Sequence, residues 1–184
     1  MMNLWKLPNT AVIGGREYEI KTDFRDILQI IEGLNDPDTP EWIRWHIAIG
    51  SFFVEKIPAE YSREAMDYLA SFISYQEQEA KPGPILMDWD QDAKEIVADV
   101  NKVAGQEIRA LPYLHWWTFL SYFHAIGEGQ FSMIVSIRDK LRKGKPLEKW
   151  EKEYYRENKN KVDLKKRYSA EEIAEREALE KLLG

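Results

Sequence analysis

Cysteine is missing altogether, histidine occurs only three times, and no apolar run approaches the roughly 20 residues that span a bilayer. The first absence excludes disulfides, thiolate nucleophiles and thiolate zinc sites. The last, together with a start (MMNLWKLPNT) that lacks a basic region leading into an apolar segment, predicts a soluble protein of a reducing compartment with no membrane partner. What is present points to one folded core. Apolar residues make up 44% of the 184, and seven residues are tryptophan, so disorder throughout is excluded.

Charge is unevenly spread. Residues 1–134 carry 11 basic and 21 acidic side chains, a balance of −10, whereas residues 135–184 carry 15 and 11, a balance of +4. The stretch 138–167 alone stands at +7. We therefore read a body at 1–146 and a charged helical section at 147–184, either packed on the body or extended from it. The basic stretch, with Tyr154, Tyr155 and Tyr168 nearby for stacking, supports nucleic-acid binding as an alternative function. Glu148, Glu151, Glu153 and Glu157 alternate with its lysines as on a solvated helix, which makes nucleic acid the weaker reading.

The fold class is mainly α: a compact multi-helix domain with a short N-terminal β-hairpin and the charged helical C-terminal section. The hairpin spans 11–20, where two β-prone runs flank Gly14–Gly15, residues that tolerate the positive φ of a tight turn. No lysine–serine/threonine pair follows these glycines, so they form no phosphate loop. Thr22 suits the N-cap of a helix whose stripe is Phe24, Ile27, Leu28, Ile31 and Leu34. Asp38 with Glu41 predicts a capping box for a second helix bearing Trp42, Trp45, Ile49 and Phe52 inward. Ser62 opens a third, with Ala65, Leu69 and Phe72 inward. Asp88 with Gln91 opens a fourth, which Gly105 ends. Phe131, Ile134, Val135, Ile137 and Leu141 mark another, and Ser169 with Glu172 caps the last.

Between these lies PYLHWWTFLSYF. At about 100° per residue, Tyr113, Trp116, Phe119, Leu120, Phe123 and Ile126 fall within an arc of about 140°, which is a core face. The rest of this helix carries no lysine or glutamate, so it too needs cover, from the chain itself or from a partner. The residues expected to escape the core and meet a partner are Trp117 and Tyr122 here and Trp5 near the N-terminus. The stripe Ala174, Ala178, Leu182 joins them; it either binds a partner or docks back on its own domain.

Chemistry-bearing patterns are weak. His115 and His124 stand nine residues apart, about 180° around one helix, and share no metal. Asp88, Asp90, Asp92 and Asp99 match positions of a calcium loop, but Ala93 stands where the loop's sharp turn requires glycine. Ser121 and His124 form a nucleophile–base pair on paper, with nothing to orient it and no oxyanion donors. We expect no catalytic residues, no metal, no cofactor and no enzyme activity.

Three segments in combination, REYEIKTDFRDIL, DWDQDAKEIVADV and LPYLHWWTFLSYFHAIGEGQFSMIVSIRD, resemble the bacteriophage Gp15 family of tailed phages and prophages of Gram-positive bacteria. The resemblance is carried by Tyr18, Ile20, Thr22, Asp23, Phe24 and Arg25, by Asp92 with Ile96, and by the stretch from Leu114 to Leu120. Phe131, Ile134, Arg138 and the later VDLKKRY extend it. The chain departs from the family pattern over residues 100–110. The resemblance implies a non-enzymatic tail-assembly chaperone or accessory in the host cytoplasm. Its implied partners are the phage tape-measure protein and another tail chaperone, and homo-oligomerisation stays open. A structural tail component is the alternative the resemblance leaves standing.

Overall fold

The chain first turns back on itself at Gly14–Gly15 in the computed structural model, which describes residues 5–75, 84–165, 168, 171 and 172. Both glycines take positive φ, 57° and 76°, and a Cβ on Gly14 would clash with the ring of Tyr61, 2.5 Å from its nearest carbon. The turn joins β1 (Thr10–Ile13) to β2 (Arg16–Glu19), paired antiparallel with Ala11 opposite Tyr18. Ala11, Ile13 and Tyr18 are buried and Val12 is exposed, the period of two that a half-covered sheet requires. Ile20 extends the ladder by bridging to Phe53.

Asp23 caps α1 (Phe24–Leu34), its carboxylate accepting the Arg25 N–H at 3.0 Å. Thr22 is not the cap, as the sequence suggested; its hydroxyl pairs with that of Tyr113 at 2.7 Å. The expected box between Asp38 and Glu41 does not form either. Asp36 organises that turn, accepting from Asp38 N–H at 3.0 Å and from the Thr39 hydroxyl at 2.6 Å, before α2 (Glu41–Phe52). Ala48 and Phe52 of α2 face the core, whereas Trp42, expected inward, is 73% exposed.

α3 (Ser62–Ile73) buries Ala65, Leu69 and Phe72 as its period predicts. α4 (Ala93–Ala104) starts four residues later than read from sequence, with Asp92 at its N-cap position. The cause is local: the Asp88 carboxylate holds a turn by accepting the N–H groups of Asp90 and Gln91. α5 (Trp116–His124) is likewise shorter, so Tyr113 precedes it and is 54% exposed instead of lying on its core face.

Trp116, Phe119 and Leu120 of α5 are buried, and Phe119 stacks on Phe24 at 4.9 Å. α6 (Gln130–Arg142) follows, burying Phe131, Ile134 and Ile137. Its start is fitted to α4. Asp99 accepts the Phe131 N–H at 2.9 Å, and a Cβ on Gly129 would overlap the Asp99 carboxylate. α7 (Lys149–Glu157) and the single turn α8 (Lys159–Val162) follow. The helix expected from Ser169, with Ala174, Ala178 and Leu182, lies almost wholly outside the described residues.

Candidate partner-binding surface

The two helix starts at Asp23 and His115 are built as one unit. Phe24 N–H donates to the Leu114 carbonyl at 2.9 Å and Trp116 N–H to the Thr22 carbonyl at 2.7 Å, a short antiparallel bridge between distant segments. The Asp23 carboxylate also accepts the Leu114 N–H at 3.1 Å, so one side chain caps α1 and fastens the approach to α5. His115 caps α5: its Nδ1 accepts the Trp117 N–H at 3.0 Å. Its Nε2 lies 3.0 Å from the Pro8 carbonyl, which assigns the proton to Nε2 in the neutral ring. Burial holds the imidazole below the usual histidine value, with the bond to Pro8 acting in the opposite direction.

Both tryptophans of α5 then close the end of α3. The Trp116 indole donates to the Ile73 carbonyl at 3.1 Å and the Trp117 indole to the Phe72 carbonyl at 3.0 Å, adding side-chain donors at the carbonyl end of α3. Trp117 is 1% exposed and stacks on Phe72 at 5.7 Å. The sequence reading that left it free for a partner is corrected: in this fold the α3 terminus is its partner.

A second unit is electrostatic. Arg138 and Asp92 form a side-by-side ion pair at 2.7 and 2.8 Å, with side chains only 5% and 2% exposed. The guanidinium also donates to the carbonyls of Leu86, Lys161 and Val162 at 3.0, 2.7 and 2.6 Å. Its five N–H donors thus meet five acceptors. The clasp joins α4, α6, α8 and the segment before α4. Gln91 adds to it as a backbone mimic, donating to the Asp163 carbonyl at 2.8 Å and accepting the Lys165 N–H at 2.9 Å.

Several of the basic groups in 138–167 are paired within the chain. Lys140 holds Glu151 at 2.6 Å, Lys161 reaches the buried Glu95 at 3.4 Å, and Arg142 and Lys143 both hold Asp139. The bond from Lys140 keeps the Glu151 carboxyl below its usual range. Among the described residues no three His, Cys, Asp or Glu side chains converge to hold a metal, and no helix is long and apolar enough to cross a membrane. The calcium-loop acids are employed otherwise: Asp92 in the clasp, Asp99 at the start of α6, and Asp88 in its turn.

A groove of about 1000 Å³ opens beside the clasp. Leu28 and Ile31 of α1 form one wall, Ile85, Met87 and Trp89 the second, and Leu164 and Tyr168 the third. Its rim is mainly acidic, with Glu32, Asp90 and Glu172 against Lys165. Ile85 is 83% exposed. The sequence reading missed this groove, because its walls come from three separated segments. Of the candidate residues, Trp5 is exposed and Tyr122 half-buried, and neither lines it.

The model of the bacteriophage Gp15 protein family matches residues 5–164. The chain belongs to that family. Membership places it in phage tail morphogenesis. No curated protein and no solved structure matches it. The three segments that carried the resemblance form the two helix starts, the start of α4 and the Arg138 clasp. They build the scaffold.

Proposed function

We propose that this Gp15-family protein is a tail-assembly chaperone, working in the host cytoplasm without bond chemistry, that covers amphipathic helical stripes of the tape-measure protein. The single observation that carries this reading is the groove of about 1000 Å³ with apolar walls and an acidic rim. Its walls suit the apolar face of a helix and its rim suits flanking basic side chains, the helix-in-groove mode of recognition. The tape-measure protein has long apolar stripes until tube subunits surround it, and a reversible cover meets that need.

Co-expression of the full chain with the tape-measure protein of the same phage tests the reading. A soluble complex in size-exclusion chromatography is expected, lost on Ile85→Glu, a change at an exposed position that leaves the core untouched. Separate elution of the two wild-type proteins, or an undiminished complex with Ile85→Glu, refutes it. Stoichiometric retention in purified tails would identify a structural component instead.

A further inference from the structure

We propose that the outward face of α2 pairs with the same face of a second copy of this chain, antiparallel and about a two-fold axis at His46. At about 100° per residue, Trp42, His46 and Gly50 fall within about 80°, and Ile43 and Ile47 widen the face to about 140°. Trp42 is 73% and Ile47 56% exposed, and His46 and Gly50 are exposed as well. The two charged residues of α2, Glu41 and Arg44, lie off this face, and Arg44 donates to the Leu34 carbonyl at 2.6 Å. The face is thus apolar, bare of charge and uncovered among the described residues.

Two of its residues are unfavourable in a lone chain. Trp42 leaves most of a large ring in water. Gly50 weakens the interior of a helix, yet it takes no positive φ, and a Cβ there would meet no neighbouring segment within 4 Å. Nothing inside one copy requires glycine at this position.

Their spacing says what the second surface is. Trp42 and Gly50 stand four residues to either side of His46. In an antiparallel pair centred on His46, the Trp42 ring of each copy lies over Gly50 of the other, a bulky side chain against a missing one, twice by symmetry. Parallel pairing would set ring on ring and gap on gap. Antiparallel pairing also puts the positive start of each helix beside the negative end of the other. Trp42 alone offers about 180 Å². The whole face amounts to about 500 Å² per copy, the lower end for a specific interface. The dimer is therefore weak and reversible, with dissociation in the micromolar range. Trp42, His46 and Gly50 do not line the groove, so pairing uses a separate surface.

Sedimentation equilibrium of the full chain between about 1 and 200 μM tests this, and the average mass should rise toward that of two chains. Gly50→Glu puts a charge where the ring must sit and should weaken pairing by about tenfold or more. Its unfolding midpoint should not fall, because glutamate is the better helix former at an open position. Trp42→Ser, at an exposed position, should weaken pairing likewise. The chain has no cysteine, so His46→Cys gives a single thiol that should form a disulfide with its own copy under mild oxidation. Asp67→Cys, exposed on α3, should not. A monomer across the whole range overturns the proposal. A dimer indifferent to Gly50→Glu and Trp42→Ser overturns the assignment to α2, and a dimer in which His46→Cys forms no disulfide overturns the two-fold register. A monomer that instead binds the tape-measure protein, with binding lost on Gly50→Glu, gives the face to that partner and overturns the second copy.

Discussion

Replacing Arg138 by methionine is the most discriminating perturbation of this fold. Methionine keeps much of the apolar stem but removes all five donors, leaving the Asp92 carboxylate nearly buried with a remaining bond from the Asp88 N–H at 3.0 Å. The carbonyls of Leu86, Lys161 and Val162 lose their guanidinium bonds as well, Lys161 keeping a bond from the Gln91 amide at 3.3 Å. Breaking a buried ion pair by removing one member costs about 3–5 kcal/mol, because the surviving charge stays desolvated. Urea unfolding of the full chain should show a loss in that range. Arg138→Lys should recover only a minor part, since one ammonium cannot serve five acceptors placed around a planar fork. Arg138→Met/Asp92→Leu should be less damaging than the two single changes summed, with a coupling of about 0.5–3 kcal/mol. Hydrogen exchange locates the effect: amides of 158–165 should lose protection first, before the aromatic core. A cost below about 1 kcal/mol with unchanged exchange in that segment refutes the idea that the clasp holds α8 to the body.

Two further predictions concern α5. Trp117→Ala should cost about 3–5 kcal/mol in denaturant unfolding, since it removes a stacked, buried ring and its bond to the Phe72 carbonyl; lost client binding with unchanged stability would restore Trp117 as a surface residue. His115 makes stability depend on pH. Its folded value lies below the ordinary 6.5, so stability is full above about 6.5 and declines as pH falls, because the unfolded chain takes up the proton first. The decline runs down to the folded value at no more than about 1.4 kcal/mol per pH unit. His115→Asn keeps a capping acceptor and should flatten the stability profile between pH 6.5 and 5.5; an unaltered slope there refutes the assignment.

Periodicity made much of this fold legible. The glycine turn, the Ala65–Leu69–Phe72 stripe and the core face of α5 are read from spacing, because they depend on which residues share a side of one element. What spacing misplaced were the caps. Thr22 and Asp23 are both good capping residues, and the choice between them was made by Tyr113 and Leu114, some ninety positions away. Trp117 was misread for the same reason. Its angle on α5 set it apart from Trp116, but the end of α3 covers both. The clasp did leave a signal. Arg138 stands seven residues after Phe131 and four after Ile134, a core position in α6, and Asp92 and Asp99 stand at core positions beside Ile96 and Val100. Opposite charges on the inner faces of two helices are a reason to pair them. The groove left none, since no single segment contains it.

The residues on which the resemblance rests are consumed by the architecture, and that bears on where function resides. Asp23, His115, Asp92 and Arg138 carry the chemistry of the matching segments, and each is saturated by contacts inside the chain: two helix caps and a five-bond clasp. A side chain so engaged has no capacity left for a substrate. The large open groove is lined by Leu28, Ile31, Ile85, Met87 and Trp89, with Glu32, Asp88, Asp90, Lys165 and Glu172 beside them. The polar motifs therefore act one step removed. By tying the carbonyls of Leu86, Lys161 and Val162 to one guanidinium, they fix the segment before α4 and the end of α8 relative to each other. On this view the clasp determines the groove, and Arg138→Met should weaken binding of a tape-measure helix even though Arg138 is buried away from any client.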